Sequence, residues 1–122
     1  MNEMSGMVVA VTATATPVMA RLIERSQDLP TPFLFVDLDR VRANYRRLTD
    51  SLENARVYYA VKANPHPAVL RALAEEGCGF EISSEGELDL IEAVGRPVSI
   101  VSSNPIKTER FIVRAARAGV EG

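Results

Sequence analysis

The sequence predicts a parallel α/β architecture, the N-terminal portion of a TIM-type (β/α)8 barrel. Three observations carry that expectation. Apolar segments with strand character begin at Val57, Gly79, Val98 and Val120, so their starts are separated by 22, 19 and 22 residues. Between them lie segments whose apolar residues recur at helical spacing, each closed by a glycine: Gly77, Gly95 and Gly119. Strands and helices alternating at this period build βαβ units and therefore a parallel sheet. The polar residues Lys62, Glu81, Ser83 and Asn104 fall at the strand ends, where such architectures gather their functional groups. A closed barrel of eight units takes about 250 residues, and this chain has 122. The rhythm stops at Val120–Gly122 in mid-strand, so an incomplete barrel, the front of a longer protein, is expected.

Residues 1–32 read as a tail with a short helix, and residues 33–122 as the barrel portion. Met7–Ala20 is mildly apolar, but Thr12, Thr14, Thr16 and Pro17 dilute it. It is shorter than the roughly 18–20 residues of a membrane span, and no Lys or Arg precedes it as a secretory signal requires. Residues 1–16 are thus expected to be loose. Pro17 suits the first turn of a helix reaching Gln27, with Met19, Leu22 and Ile23 on one side. Leu29–Pro32 forms a linker, and Phe33–Leu38 the first strand. Asp39 is expected to cap a helix whose Val41, Tyr45, Leu48 and Leu52 share a face, with arginines opposite.

The repeats follow. Strand Val57–Val61 leads to a helix opened by Pro67 that buries Val69, Leu70 and Leu73. Strand Gly79–Ser83 leads to a helix from Glu85 to Val94 carrying Leu88, Leu90 and Ile91. Strand Val98–Ser102 leads through a loop, Ser103–Ile106, to a helix from Lys107 to Ala118 carrying Phe111, Ile112 and Ala115.

Composition narrows the function classes. Fourteen basic and 16 acidic residues give a formal charge of −2 without a basic run, which argues against nucleic acid or an anionic membrane as partner. Cys78 is the only cysteine, so the chain has no disulfide framework and no thiolate metal cluster, and a reducing cytoplasm is the natural compartment. His66 is the only histidine. No multi-histidine metal site can form, and His66, between two prolines, reads as a loop residue.

The stretch with most chemical content is VYYAVKANP at 57–65. Five apolar or aromatic residues precede Lys62, and Asn64-Pro65 breaks the strand. Alternation puts Tyr58, Ala60 and Lys62 on one face and Val57, Tyr59 and Val61 on the other. A poorly hydrated lysine favours its neutral amine, which Schiff-base chemistry with an aldehyde requires. A lysine snorkelling from a strand end presents the same pattern.

On the next strand Phe80 and Ile82 alternate with Glu81 and Ser83, so Glu81 and Ser83 are expected inside the barrel beside Lys62. A carboxylate there can hold the ammonium before reaction and balance positive charge afterwards. A structural ion pair is the other reading of Glu81. Glu87 suits either helix N-terminal stabilisation or a site role. Asn104-Pro105 fits a turn as well as a site loop, and Lys107 fits a solvated side chain.

YAVKANPHPAVL at 59–70, GFEISSEGEL at 79–88 and SNPIK at 103–107 together resemble three successive signatures of the fold-type III pyridoxal-phosphate decarboxylases. That family includes ornithine, lysine, arginine and diaminopimelate decarboxylases. FLFVDLDRVRANYRRL at 33–48 is similar to its entry into an alanine-racemase-like barrel, and the resemblance spans Pro32 to Gly122. It implies pyridoxal 5′-phosphate held by Lys62 as a Schiff base, with Glu81 and Ala60 beside the cofactor. Many members have aspartate where Glu81 stands. Ser83, Glu87 and Asn104 match positions that frame the strand ends. The implied reaction is loss of CO2 from a basic amino acid, ornithine or lysine, in polyamine biosynthesis by a homodimer. The family's ring-stacking histidine, phosphate loop, acidic partner of the pyridine nitrogen and second domain would lie beyond residue 122, so this chain alone is expected to be inactive. A racemase of the same barrel type and a truncated, non-catalytic homologue that binds a partner are the alternatives.

Overall fold

The computed structural model describes residues 8–10 and 17–122, with side chains for all of these except 8–10, 17–20 and 23. Two compact units divide after Arg40, eight residues later than the boundary expected at Pro32.

In the first unit, β1 (Val8–Ala10), α1 (Pro17–Ser26) and β2 (Leu34–Val36) follow in order, and the two strands pair in parallel with Val8 opposite Leu34. The expectation of a loose tail over residues 1–16 is therefore corrected at Val8–Ala10. These three residues include two β-branched valines and can complete the hydrogen bonds of a parallel neighbour. The rest of the expected tail lies outside the described residues. α1 matches its expected span and buries Leu22, while the side chains of Met19 and Ile23 lie outside the described residues. The helix after β2, α2 (Leu38–Ser51), starts one residue before Asp39. Asp37 takes the capping role expected of Asp39: its Oδ1 accepts the Arg40 N–H at 3.0 Å, while Asp39 sits in the first turn.

The second unit holds a parallel three-stranded sheet, β3 (Tyr58–Ala60), β4 (Gly79–Glu81) and β5 (Ile100–Val101), in that spatial order. Tyr58 pairs with Gly79 and Glu81 with Val101. A single parallel bridge from Val101 to Glu121 extends the pattern where Val120 was expected to open another strand. α3 (Pro67–Glu75), α4 (Glu85–Glu92) and α5 (Glu109–Arg117) provide the crossovers. Gly77, Gly95 and Gly119 follow them with φ of 82°, 73° and 74°, the left-handed conformation a helix C-terminus favours.

One sheet face is apolar and the other polar. Val61, Cys78, Phe80, Ile82 and Ile100 are buried, together with Val69, Leu70 and Leu73 of α3, Leu88 and Ile91 of α4, and Phe111 and Ala115 of α5. The opposite face carries Tyr58, Glu81 and Ser99; the Tyr58 hydroxyl lies 3.0 Å from Ser99 Oγ, which donates to Glu121 Oε1 at 3.1 Å. Gly79 is required there because the Tyr58 ring crosses it. A Cβ at position 79 would stand 2.6 Å from Tyr58 Cδ1.

Two expected apolar stripes are corrected. No residue of α2 is buried, and Leu48 and Leu52 are exposed. Ion pairs tie this helix to α3 instead: Arg42 Nη2 to Glu75 Oε2 at 2.7 Å, and Arg46 Nε to Glu76 Oε2 at 2.6 Å. On α5 Ile112 is 51% exposed, because the buried row is the i, i+4 pair Phe111 and Ala115.

Candidate active site

β3 ends at Ala60, two residues before Lys62, and the chain turns at once into a 3-10 helix, Val61–Ala63. The strand-face argument for Lys62 is corrected accordingly. Val61 points into the core, fully buried, and Lys62 leaves the sheet at its carboxyl end with a side chain 65% exposed. The dehydrated environment expected of Lys62 is not what these described residues provide.

Glu81 ends β4, in register with Ala60 and flanked by the buried Phe80 and Ile82. Its side chain is 12% exposed and lies on the Lys62 side, with Oε2 3.9 Å from Lys62 Nζ. Two hydroxyls hold its other oxygen: Ser83 Oγ donates to Oε1 at 3.3 Å and Ser103 Oγ at 3.0 Å. Carboxylate, amine and both serines thus meet at the strand ends.

Ser83 is fixed through its backbone as well. Its N–H donates to Glu87 Oε2 at 2.7 Å, and its carbonyl accepts from Asn104 Nδ2 at 3.5 Å. Glu87 has a second task, because Ser84 Oγ caps α4 by accepting the Glu87 N–H at 3.2 Å. This is a capping-box pair whose glutamate reaches one residue beyond the cap. Glu87 thus stabilises the helix start and holds the Ser83 backbone at the end of β4. Asn104 Oδ1 accepts the Ile106 N–H at 3.1 Å, so Asn104 shapes its own turn while bridging to β4.

Lys107 is engaged rather than solvated, donating to the Ser102 carbonyl at 3.2 Å. His66 is more than a loop residue. It is the N-cap of α3, and its Nδ1 accepts the Ala68 N–H at 3.2 Å. Burial pushes the Cys78 thiol up to about 11, which removes it as a nucleophile near neutral pH. Among the described residues no three His, Cys, Asp or Glu side chains group to hold a metal ion.

Ser103 is the contributor that sequence reasoning passed over as a loop opening. Alternation from Ser99 through Val101 carries its side chain onto the Glu81 face. That signal was available in the spacing.

Residues 38–122 match the family model "Pyridoxal-dependent decarboxylase, pyridoxal binding domain". A lysine/ornithine decarboxylase of Selenomonas ruminantium is 40% identical over 89 residues, covering 72% of this chain and 23% of that relative. The crystal structure of the Vibrio vulnificus lysine/ornithine decarboxylase complexed with putrescine superposes with a TM-score of 0.78 at 33% identity, over 88% of this chain and 30% of that one. Human antizyme inhibitor 2 is 32% identical over 99 residues, 80% of this chain and 22% of that relative. The chain thus spans about a quarter of the length of the curated relatives it matches. Its βα repeats are part of the TIM-type barrel of these proteins. A strand-end lysine beside a carboxylate, on repeats that match this model over residues 38–122, places the chain in the pyridoxal-dependent decarboxylase family.

Proposed function

We propose that this chain contributes the cofactor lysine to a decarboxylase of basic amino acids, with ornithine or lysine as substrate. One observation carries the reading most: an exposed amine, Lys62, stands at a strand end 3.9 Å from the carboxylate of Glu81, within a pyridoxal-binding fold. The donor set fits pyridoxal 5′-phosphate. A primary amine reachable from solvent meets an aldehyde readily, and the small side chain of Ala60, in register with Glu81, leaves space beside it. Bound there, the cofactor supplies the aldehyde that captures amines and the electron-withdrawing ring that lets carbon dioxide leave.

The chain's own residues supply attachment and charge. Lys62 holds the cofactor through Nζ, and Glu81 balances positive charge on that nitrogen. Ser83, Glu87 and Asn104 keep the strand ends in place. The parent protein is read as a cytoplasmic homodimer in polyamine biosynthesis. No helix among the described residues is long and apolar enough to cross a membrane.

Borohydride reduction of the protein incubated with pyridoxal phosphate, followed by peptide mapping, tests the attachment. The pyridoxyl group is expected on Lys62 and absent from Lys62→Arg; finding it on Lys107, or on no lysine, overturns the assignment. Release of labelled CO2 from carboxyl-labelled ornithine and lysine tests the reaction. The similarity to antizyme inhibitor 2 favours a second reading, a homologue that binds a partner without turnover. A folded parent protein that releases no CO2 from either amino acid supports that second reading.

A further inference from the structure

The exposed side chain of Lys62 is free to move, so the reach of its amine is set by the backbone turn that carries it. On the strand side that turn is anchored by Val61, fully buried. Past Lys62 it ends at Asn64, in extended backbone. Two bonds fix Asn64 from opposite directions. Its Oδ1 accepts the His66 N–H at 3.1 Å, tying it to the residue that caps α3. Its carbonyl accepts the Tyr59 hydroxyl at 3.3 Å. This second bond runs from the middle of β3 across the turn, so residues 59–64 form a closed ring of chain with Lys62 inside it.

Tyr59 is itself firmly placed. Its ring meets the fully buried Phe80 edge to face, with centroids 6.4 Å apart. Burial holds its phenol above the ordinary value of 10, so near neutral pH the hydroxyl keeps its proton and stays a donor. The turn has little to hold it from within. A 3-10 turn has poorer hydrogen-bond geometry than an α-helix, and Pro65 beyond Asn64 has no N–H to give.

We propose that Tyr59 is a positioning residue for Lys62: its hydroxyl closes the turn that carries the lysine and keeps the amine at the strand end beside Glu81. The proposal rests on the reading of Lys62 as the cofactor lysine.

Limited digestion of cofactor-free protein with a protease that cuts after lysine tests the closure. Cleavage needs an opened backbone, so its rate reports how often a segment leaves its folded shape. This chain has two lysines, Lys62 and Lys107, and the second, also between a strand and a helix, is the internal control. Tyr59→Phe keeps the ring against Phe80 and removes only the hydroxyl. It is expected to speed cleavage after Lys62 about fivefold, the weight of one hydrogen bond, and to leave cleavage after Lys107 unchanged. Tyr59→4-aminophenylalanine, which restores a donor, is expected to return the parent rate. An unchanged rate after Lys62, equal acceleration at both lysines, or failure of the amino variant to rescue overturns the inference. The link to the cofactor is read separately, by borohydride reduction at a pyridoxal phosphate concentration that half-labels the parent. Labelling of Lys62 is expected to fall about twofold in Tyr59→Phe, as the closed turn becomes less populated, and to recover in the amino variant. Equal labelling of Tyr59→Phe and parent overturns the positioning role. A parent that takes no label on Lys62 overturns the proposed function instead, and the digestion rates still decide whether Tyr59 closes the turn.

Discussion

Gly79 and Ser102 show how single positions in this sheet are set by opposite needs. At Gly79 the ring of Tyr58 fills the space a side chain would take, with a Cβ falling 2.6 Å from Cδ1 and 2.7 Å from Cε1. Gly79→Ala is therefore expected to destabilise by about 1–3 kcal/mol through overpacking. Thermal unfolding measures this, and a variant as stable as the parent would show that the ring moves aside freely. Ser102 is buried on the apolar side of the sheet. Its N–H donates to the Glu121 carbonyl and its own carbonyl accepts from Lys107. Its Oγ, by contrast, has no hydrogen-bond partner among the described residues. A buried hydroxyl without a partner is a net cost, so Ser102→Ala is expected to raise stability by about 1 kcal/mol. A drop in melting temperature would mean that the hydroxyl finds a partner elsewhere. Both substitutions lie within one strand of Glu81, and their opposite signs separate packing from polarity as the local constraint.

At the scale of elements, helices were more legible than strands. Each helix of the second unit after α2 carries its own boundary chemistry: Pro67 after the capping His66, Ser84 with Glu87, Thr108 accepting the Phe111 N–H, and the glycines beyond each end. Such signals are local, so one sequence displays them. The strands are shorter than their apolar runs suggest, because a run such as Val57–Val61 shows only that residues are apolar. Where a strand stops depends on where its neighbour stops pairing, and Val61 leaves the sheet while remaining buried. The placement of α2 was illegible for a related reason. Its apolar spacing suggested burial, whereas Arg42 and Arg46 bind it to the acidic end of α3. The hydrogen bond and charge of Arg46 hold the Glu76 carboxyl below its ordinary value of 4.5. A carboxyl depressed in the folded state contributes stability that is complete above its unfolded value and fades as pH falls through the lower folded value. Between pH 5 and pH 3, about where glutamate titrates, the parent is expected to lose more stability than Glu76→Gln. Denaturation curves across that range check it, with high salt shrinking the difference because Arg46 is exposed. Parallel curves for the two proteins would remove Glu76 as the titrating group.

Across the molecule, the parallel order and the two-faced sheet followed from alternation and period alone. The detailed site did not. Lys62, Glu81, Ser83 and Asn104 could be placed at strand ends by counting, but that Glu81 shares one oxygen between Ser83 and Ser103 depends on two loops converging from different repeats. The same division of faces sets where the second unit can tolerate change. The face that carries Glu81 is polar, with Tyr58, Ser99 and Glu121 forming a hydrogen-bonded row there. Stability therefore concentrates on the other face, where Phe80 is fully buried beside Tyr59, with ring centroids 6.4 Å apart and planes at 84°. Phe80→Ala removes a ring from the middle of the central strand and is expected to cost about 3–5 kcal/mol. A whole domain is stable by only about 5–15 kcal/mol, so the substitution consumes much of that margin, although position 80 touches neither Lys62 nor the serines by hydrogen bond. Ser99→Ala, on the polar face, gives up two hydrogen bonds in a half-buried setting and is expected to cost about 1 kcal/mol. Thermal unfolding of both variants checks the division. Phe80→Ala should melt far lower than Ser99→Ala; an equal loss of stability from Ser99→Ala would place the core on the wrong side of the sheet.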